Sequence, residues 1–244
     1  AIASADQAIA LSEQYGGGLW MHATLGALQP ICYALQGDEE RADRTFADLF
    51  EKLAQPAASR IAATFKPGFL FWQGRICWLQ GWRDSGRSSR LFQAQAIYRQ
   101  LEALANPREW PFAPALRAML AALLALAEGR GQQAERWLRQ AAAMQARLRF
   151  TVLFSNAHLL LAYLYLHQGR QAEALARLTP VLAEYEQQDT PGLMMWEGNP
   201  VVVPLLHLAI ERQCYAAFAG RVLNLLGEPT VICPPLVDLA AVDT

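Results

Sequence analysis

Two short segments combine aromatic and polar side chains in a way that could bind a ligand. In the first, FLFWQGRICW at residues 69–78, Trp72 and Arg75 are three residues apart, so on a helix they would share a face. A tryptophan beside an arginine can stack on a ring and hold an anion. The alternative, which is the commoner arrangement, is a tryptophan that packs between helices beside a surface arginine.

The second segment, WEGN, supplies Trp196, Glu197 and Asn199. Glycine and proline on both sides predict that it forms a loop between helices. Loops with polar and aromatic residues on a rigid scaffold often bind ligands, although the same residues could equally well serve the structure. Three weaker candidates lie on the first helices of predicted helical hairpins, and these are Trp20, Arg117 and Asn156.

The remaining reactive residue types do not predict an enzyme. The four histidines are far apart, without HExxH or any paired ligand spacing, and the serines lack the GxSxG pattern. The four cysteines form no CxxC motif, and no histidine lies at metal-finger spacing from them. We therefore predict no catalytic residue, no metal site and no cofactor.

Composition narrows the class of protein further. Of 244 residues, 53% are hydrophobic and 18% are charged, which is enough for a large core and argues against disorder. The net charge of −1 provides no global basic field for nucleic acid or anionic membrane. The sequence shows no signal peptide and no membrane-spanning apolar run, so we expect a cytoplasmic protein. Because the chain starts without methionine, inside a predicted helix, we also expect a piece of a longer protein.

The elements that would position these residues are helices. Apolar residues recur at helical spacing along nearly the whole chain, without convincing strand alternation. Pro67-Gly68 predicts a stop before a helix over residues 69–82. We predict an all-α fold, a superhelical stack of antiparallel hairpins in a domain at 1–229, followed by a C-terminal linker at 230–244. The predicted hairpins span about 19–54, 69–105, 112–148, 150–188 and 200–227.

Three predicted turns share a pattern that is measured from the turn glycine. Gly37, Gly129 and Gly169 are each followed by an alanine after five residues and by larger or apolar residues after nine and twelve. Small-then-large spacing suits closely crossing helices, because alanine lets the backbones approach and the larger residue fills the gap. The three triplets are Ala42, Phe46 and Leu49; Ala134, Leu138 and Ala141; and Ala174, Leu178 and Val181. We call these nine residues the ladder, and such a repeat predicts a solenoid.

Two looser copies extend the pattern. Ala94, Tyr98 and Leu101 fit the ladder after a longer turn, and a weaker copy consists of Ala219, Leu223 and Leu226. The alternative is that alanine-rich helices align with almost any pattern. We favour the repeat, because three copies share both the turn and the ladder.

Some of these residues resemble known families. Leu161, Ala162, Tyr165, Gly169, Glu173, Ala174 and Leu175 are similar to the tetratricopeptide pattern. LLHLAIER at 205–212, followed by FAGRVLNLLG at 218–227, resembles the last hairpin of the sensor region in bacterial regulators of the MalT/LuxR type. In that family a nucleotide-binding domain precedes the helical superhelix, and a linker and a helix-turn-helix domain follow it. This sequence contains neither a GxxxxGK[ST] loop nor a recognisable DNA-binding module, so the resemblance implies the isolated middle part.

The resemblance implies a non-catalytic sensing domain of a transcription regulator. An inducer or a regulatory protein would bind in the concave groove, and DNA would be contacted only through a separate domain that is absent from this chain. We expect no membrane contact. The alternative is a tetratricopeptide-like protein-interaction scaffold unrelated to transcription, in which Arg75, Arg117 and similar residues grip peptide carboxylates.

Overall fold

The chain is all-helical in the part that the computed structural model describes, which is residues 28–56, 59–83, 89–104, 110–148 and 155–227, with isolated positions 7, 8, 10, 11 and 14. These residues form eleven α-helices and no β-strand, which confirms the all-α prediction. The helices are α1 (Leu28–Gln36), α2 (Glu39–Ala54), α3 (Ser59–Arg83), α4 (Ser89–Ala103), α5 (Ala113–Ala127), α6 (Gly131–Leu148), α7 (Ala157–His167), α8 (Gln171–Gln187), α9 (Gly192–Met195), α10 (Asn199–Glu211) and α11 (Ala216–Leu226). Among them, none is both long and apolar enough to cross a membrane.

The helices pack in consecutive pairs within two compact units, Ala1–Ala105 and Asn106–Thr244. In the first unit α1 packs on α2 and α3 on α4, and α3 also contacts α1 and α2. In the second unit the pairs are α5–α6, α7–α8 and α10–α11, and α6 packs on α7 while α7 and α8 pack on α10. Neighbours in sequence are therefore neighbours in space within each unit.

The three predicted turn glycines adopt one conformation. Gly37, Gly129 and Gly169 all have φ between 73° and 85°, a left-handed region that favours glycine. In each turn the N–H of the residue after the glycine donates to the carbonyl oxygen five residues earlier, at 2.8 to 2.9 Å. This hydrogen bond is the mark of a Schellman cap, which ends a helix. In all three turns the next helix begins two residues after the glycine. The glycine was therefore the correct origin for the pattern.

The ladder residues lie in the core. None of the nine is more than 4% exposed, and all four alanines among them are completely buried. The looser copies deviate: Ala94 and Leu101 are buried, but Tyr98 is half-buried and donates to Glu102, and Ile97 is buried in its place. In the last pair Ala219 is buried, whereas Leu223 and Leu226 are only half-buried. The strict copies are confirmed as core positions, and the loose ones only in part.

The predicted stop at Pro67-Gly68 is wrong, because α3 runs through both residues. Proline lacks the N–H that would bond to the preceding turn, so the helix loses a hydrogen bond there. Two features offset this loss. The rings of Phe65 and Phe69 stack across the proline at 5.8 Å, and residues 67–72 are all buried. Burial of this apolar run stabilises the continuous helix more than one backbone hydrogen bond does.

Salt bridges join successive helix pairs at equivalent positions of the repeat. In the first unit Arg90 of α4 donates to Asp43 of α2 at 2.5 Å, and in the second unit Arg170 donates to Glu135 of α6 at 2.8 Å. Asp43 and Glu135 directly follow Ala42 and Ala134, the first ladder residues of their copies. Arg90 and Arg170 each lie four residues before the first alanine of the next copy, which is Ala94 in the looser copy and Ala174 in the strict one. The two units therefore join helix pairs in the same way, which the apolar pattern alone did not reveal.

The carboxylate of Glu135 should make stability depend on pH. Burial raises its pKa, but hydrogen bonds from Arg170 and Tyr165 and the charges of Arg170 and Arg139 outweigh burial, so the pKa lies below its usual value. A folded-state pKa below the unfolded value of about 4.3 stabilises the fold above that pH, and this contribution is lost as the pH falls through the folded pKa. Glu135→Gln should therefore cost about 1 kcal/mol at pH 7, and the cost should fall steadily as the pH drops below the unfolded value.

Chemical denaturation at pH 7 and at about pH 3.5 measures this difference. Glu211→Gln is the matched control, because Glu211 is exposed on α10 and should give the same stability as the wild type at both pH values. An equal loss for Glu135→Gln at both pH values would contradict the expected role of the charge.

Candidate functional site

Asn156 and Glu197, which were predicted from separate segments, meet in a buried polar cluster. Glu197 lies between α9 and α10, and Asn156 precedes α7. Glu197 Oε1 accepts a hydrogen bond from the backbone N–H of Asn156 at 2.6 Å. Both carboxylate oxygens lie 2.7 Å from Ser155 Oγ, which donates to them. The carboxylate therefore holds the first two described residues before α7.

Further side chains complete this cluster from α6 and α8. Asn156 Nδ2 donates to Tyr185 Oη at 3.1 Å, and Asn156 Oδ1 caps α7 by accepting from the N–H of His158 at 2.9 Å. Gln145 donates to the Ser155 carbonyl oxygen at 2.7 Å and accepts from the N–H of Ala157 at 2.9 Å. We call Gln145, Ser155, Asn156, Tyr185 and Glu197 the Glu197 cluster. It joins α6, α7 and α8 to the segment before α10.

The Glu197 cluster is closed to solvent. None of its five residues is more than 5% exposed. Burial, together with the negative charge of Glu197, raises the pKa of Tyr185 to about 12 although the hydrogen bond from Asn156 opposes the shift. Tyr185 therefore keeps its proton at neutral pH, and its hydroxyl serves as a hydrogen-bond partner. In this conformation the cluster positions the chain between these helices.

The neighbours of Glu197 in sequence face a different environment. Trp196 and Asn199 are both half-buried, in contrast to the almost fully buried carboxylate between them. Gly198 has φ 81° and ψ 151°, a backbone region that is essentially restricted to glycine. This glycine lets the chain turn between the inward Glu197 and the start of α10. Trp196 and Asn199 therefore remain as the accessible part of the predicted loop site.

Trp72 and Arg75 also come together, but inside the first unit. The guanidinium carbon of Arg75 lies 5.3 Å from the centroid of the Trp72 ring, within cation–π range. Trp72 is 5% exposed and Arg75 is 0% exposed. Trp72 is therefore a packed tryptophan, as in the alternative interpretation, but Arg75 is not at the surface as that interpretation had it. The prediction that the pair contacts a ligand is wrong for this conformation, because neither side chain is accessible. The reason is the packing of α3, which is contacted by α1, α2 and α4.

Of the two remaining candidates, only Arg117 is among the described residues, and it joins neither group. Arg117 on α5 is half-buried, and its guanidinium carbon lies 5.9 Å from the ring centroid of Trp137 on α6. Trp20 lies outside the described residues. The structure therefore pairs Asn156 with Glu197 and Trp72 with Arg75, while Arg117 contacts a tryptophan that the sequence did not single out.

Sequence reasoning missed three members of the Glu197 cluster. Ser155 followed by Asn156 before an apolar run is a helix-start signal, so the segment could have been recognised as a cap. No comparable signal marked Gln145, because glutamine within a helix is usually a surface residue. Tyr185 lies on the buried face of α8 and looks like an ordinary core aromatic.

Neither a metal site among the described residues nor a similar protein assigns a function to these side chains. Among the described residues, no group of three or more histidine, cysteine, aspartate or glutamate side chains is placed to hold a metal ion. No protein-family model matches the chain, and neither a curated protein nor a solved structure is significantly similar to it. Membership in a family therefore stays a proposal.

Proposed function

We propose that the chain is a non-catalytic sensing domain of a multidomain transcription regulator of the MalT/LuxR type. The observation that carries the proposal is the repeated register: one turn geometry, one buried ladder and one type of salt bridge recur along the chain. Repeats of this kind bury their apolar faces against their neighbours and present extended surfaces for binding. An inducer or a regulatory protein would bind on such a surface.

The packing within each unit supports a tetratricopeptide-like solenoid. The second helix of one pair packs against the first helix of the next, as α2 does on α3, α6 on α7 and α8 on α10. Stacked helical hairpins produce this order of contacts, because each hairpin covers the face that its predecessor leaves open. We therefore propose that the pairs of each unit stack as successive turns of a superhelix.

The ligand would contact the accessible residues of the predicted sites. Trp196 and Asn199 are half-buried and lie on either side of the anchored Glu197 in sequence, so a ligand can reach them on a fixed support. An indole face and a carboxamide suit a ligand with a ring or an aliphatic sugar face and a hydrogen-bonding group. Arg75 is fully buried, so its role is to support Trp72 from within the unit.

A metabolite screen by thermal unfolding tests the sensor. A ligand at ten times its Kd should stabilise the fold by about 1.4 kcal/mol, which raises Tm by roughly 3 to 6 °C for a domain of this size. Trp196→Ala should abolish the rise without unfolding the chain, because the indole is only half-buried. Trp110→Ala is the matched control, since Trp110 is also half-buried in the same unit but lies outside the predicted loop.

The outcomes separate the versions of the proposal. If no metabolite shifts Tm but a protein is retained whose binding Trp196→Ala weakens, the small-molecule version is wrong and the regulatory-protein version holds. If the full-length gene product has no nucleotide-binding domain before Ala1 and no helix-turn-helix after Thr244, the assignment to this class of regulator is wrong.

A protein-interaction scaffold is the second candidate, and Arg117 is the observation that favours it. Arg117 is half-buried on the first helix of a pair, and its guanidinium carbon lies 5.9 Å from the ring centroid of Trp137, an arrangement that suits a carboxylate of a bound peptide. A peptide partner should then lose more affinity with Arg117→Ala than with Trp196→Ala. The opposite order would favour the sensor.

A further inference from the structure

Ser155 has a left-handed backbone although it is not glycine. Its φ is 81°, and it lies directly before Asn156, the residue that caps α7. A side chain in this region costs free energy, and such a conformation persists only where the surroundings fix it. Strained residues of this kind often lie where a protein switches between arrangements. The surroundings of Ser155 therefore indicate what keeps the start of α7 in place.

The groups around Ser155 come from two directions. Gln145 of α6 binds the Ser155 carbonyl oxygen and the N–H of Ala157. Glu197, from the segment before α10, binds the Ser155 hydroxyl and the N–H of Asn156. Hydrogen bonds to a carboxylate are about twice as strong as those between neutral groups. Glu197 therefore provides the stronger constraint, and it is separated from Ser155 by 42 residues.

The position of Glu197 makes this constraint a connection between helix pairs. Gly198 turns the chain directly into α10, so a displacement of the carboxylate would be transmitted to that helix. α10 packs on both α7 and α8. The carboxylate thus ties the start of the α7–α8 pair to the α10–α11 pair at the point where the backbone is strained.

We propose that Glu197 is a latch between these two helix pairs. While its carboxylate binds Ser155 and Asn156, Ser155 stays left-handed and α7 stays capped. When the carboxylate is withdrawn, Ser155 leaves the left-handed region, the first turn of α7 loosens, and the packing of α7 on α10 changes. These two states of the start of α7, latched and released, are what a conformational switch requires. The latch does not depend on the proposed function, because it needs no ligand.

A double-mutant cycle tests whether Glu197 holds the strain. Ser155→Gly and Ser155→Ala both remove the hydroxyl, but only glycine adopts a positive φ without strain. With Glu197 present, the folding equilibrium constant of Ser155→Gly should exceed that of Ser155→Ala about fivefold. In the Glu197→Gln background residue 155 can relax, so this ratio should fall to one or below. An unchanged ratio would mean that the chain imposes the conformation without Glu197, and the proposal would be wrong.

Hydrogen exchange tests whether the start of α7 loosens. In Glu197→Gln the amides of Asn156 and Ala157 should exchange about tenfold faster than in the wild type, because their segment opens more often. Glu211→Gln, the same change at an exposed position of α10, should leave both amides unchanged. Tyr185→Phe removes a hydroxyl from the cluster and keeps the carboxylate, so it should accelerate them less than twofold. Equal acceleration by Tyr185→Phe would assign the effect to the whole cluster and overturn the latch.

A second substitution of Glu197 keeps both experiments possible if the first variant does not fold. If Glu197→Gln does not fold, Glu197→Asp takes its place in both experiments, because it withdraws the carboxylate by one methylene and keeps its charge. In the Glu197→Asp background too, a fall in the ratio of the folding equilibrium constants of Ser155→Gly and Ser155→Ala supports the latch, and an unchanged ratio contradicts it.

Discussion

Leu138→Ala and Leu178→Ala should each lower the free energy of unfolding by about 2 to 5 kcal/mol. Both leucines are 0% exposed, and each lies nine residues after its turn glycine, on α6 and on α8. Truncation removes buried methyl groups and leaves a cavity that the packed helices fill only in part. Because the two positions are equivalent in the repeat, we expect the two losses to agree within about 1 kcal/mol. Urea denaturation monitored by circular dichroism measures both.

Leu175→Ala provides the control for these two variants. Leu175 is on the same helix as Leu178 but is only half-buried, so the same truncation should cost less than half as much. If Leu175→Ala costs as much as Leu178→Ala, the ladder is not the principal contact between the helices. If Leu138→Ala and Leu178→Ala differ by several kcal/mol, the two copies are not structurally equivalent.

The turns and the ladder could be predicted from sequence because both depend on residues close together in the chain. A Schellman turn needs a glycine with positive φ, and the inward face of the following helix is fixed by helical spacing from that turn. Gly129 and Gly169 therefore set the register for Ala134 and Ala174 without any knowledge of the tertiary structure. Asp38, directly after the first of the three turn glycines, caps α2 by accepting from the N–H of Arg41 at 3.2 Å, and an aspartate at this place is a local signal of the same kind.

The helix through Pro67 could not be predicted by the same local reasoning. Proline usually ends a helix, and the glycine after it strengthens that expectation. The outcome depends on contacts with α1, α2 and α4, which cover the aromatic run of α3 and outweigh the local preference. The burial of Arg75 has the same origin, since a helix that is packed on several sides leaves no outward face for a charged side chain.

Individual residues of the candidate site could be predicted from the sequence, but the contact between them could not. Asn156 and Glu197 were both selected, yet for separate reasons, and nothing local connects a helix cap with an acidic loop 41 residues later. Their contact exists because α10 packs on α7 and α8 and brings the loop to the start of α7. The pairing also inverts the expected role of Glu197, which is bound inside the protein while its neighbours Trp196 and Asn199 stay accessible.

Ala174→Leu should lower the free energy of unfolding by about 1 to 3 kcal/mol, because a larger side chain cannot fit where α8 approaches its neighbours. Ala174 has no exposed surface, and α8 packs closely on α7. For a chain of this size the loss corresponds to a fall in Tm of roughly 2 to 12 °C, which calorimetry measures. Ala176→Leu is the control, because Ala176 is exposed on the same helix and should change stability by less than about 0.5 kcal/mol. If Ala174→Leu is as neutral as this control, the ladder alanine is not needed for close approach, and the small-then-large pattern does not explain how the helices pack.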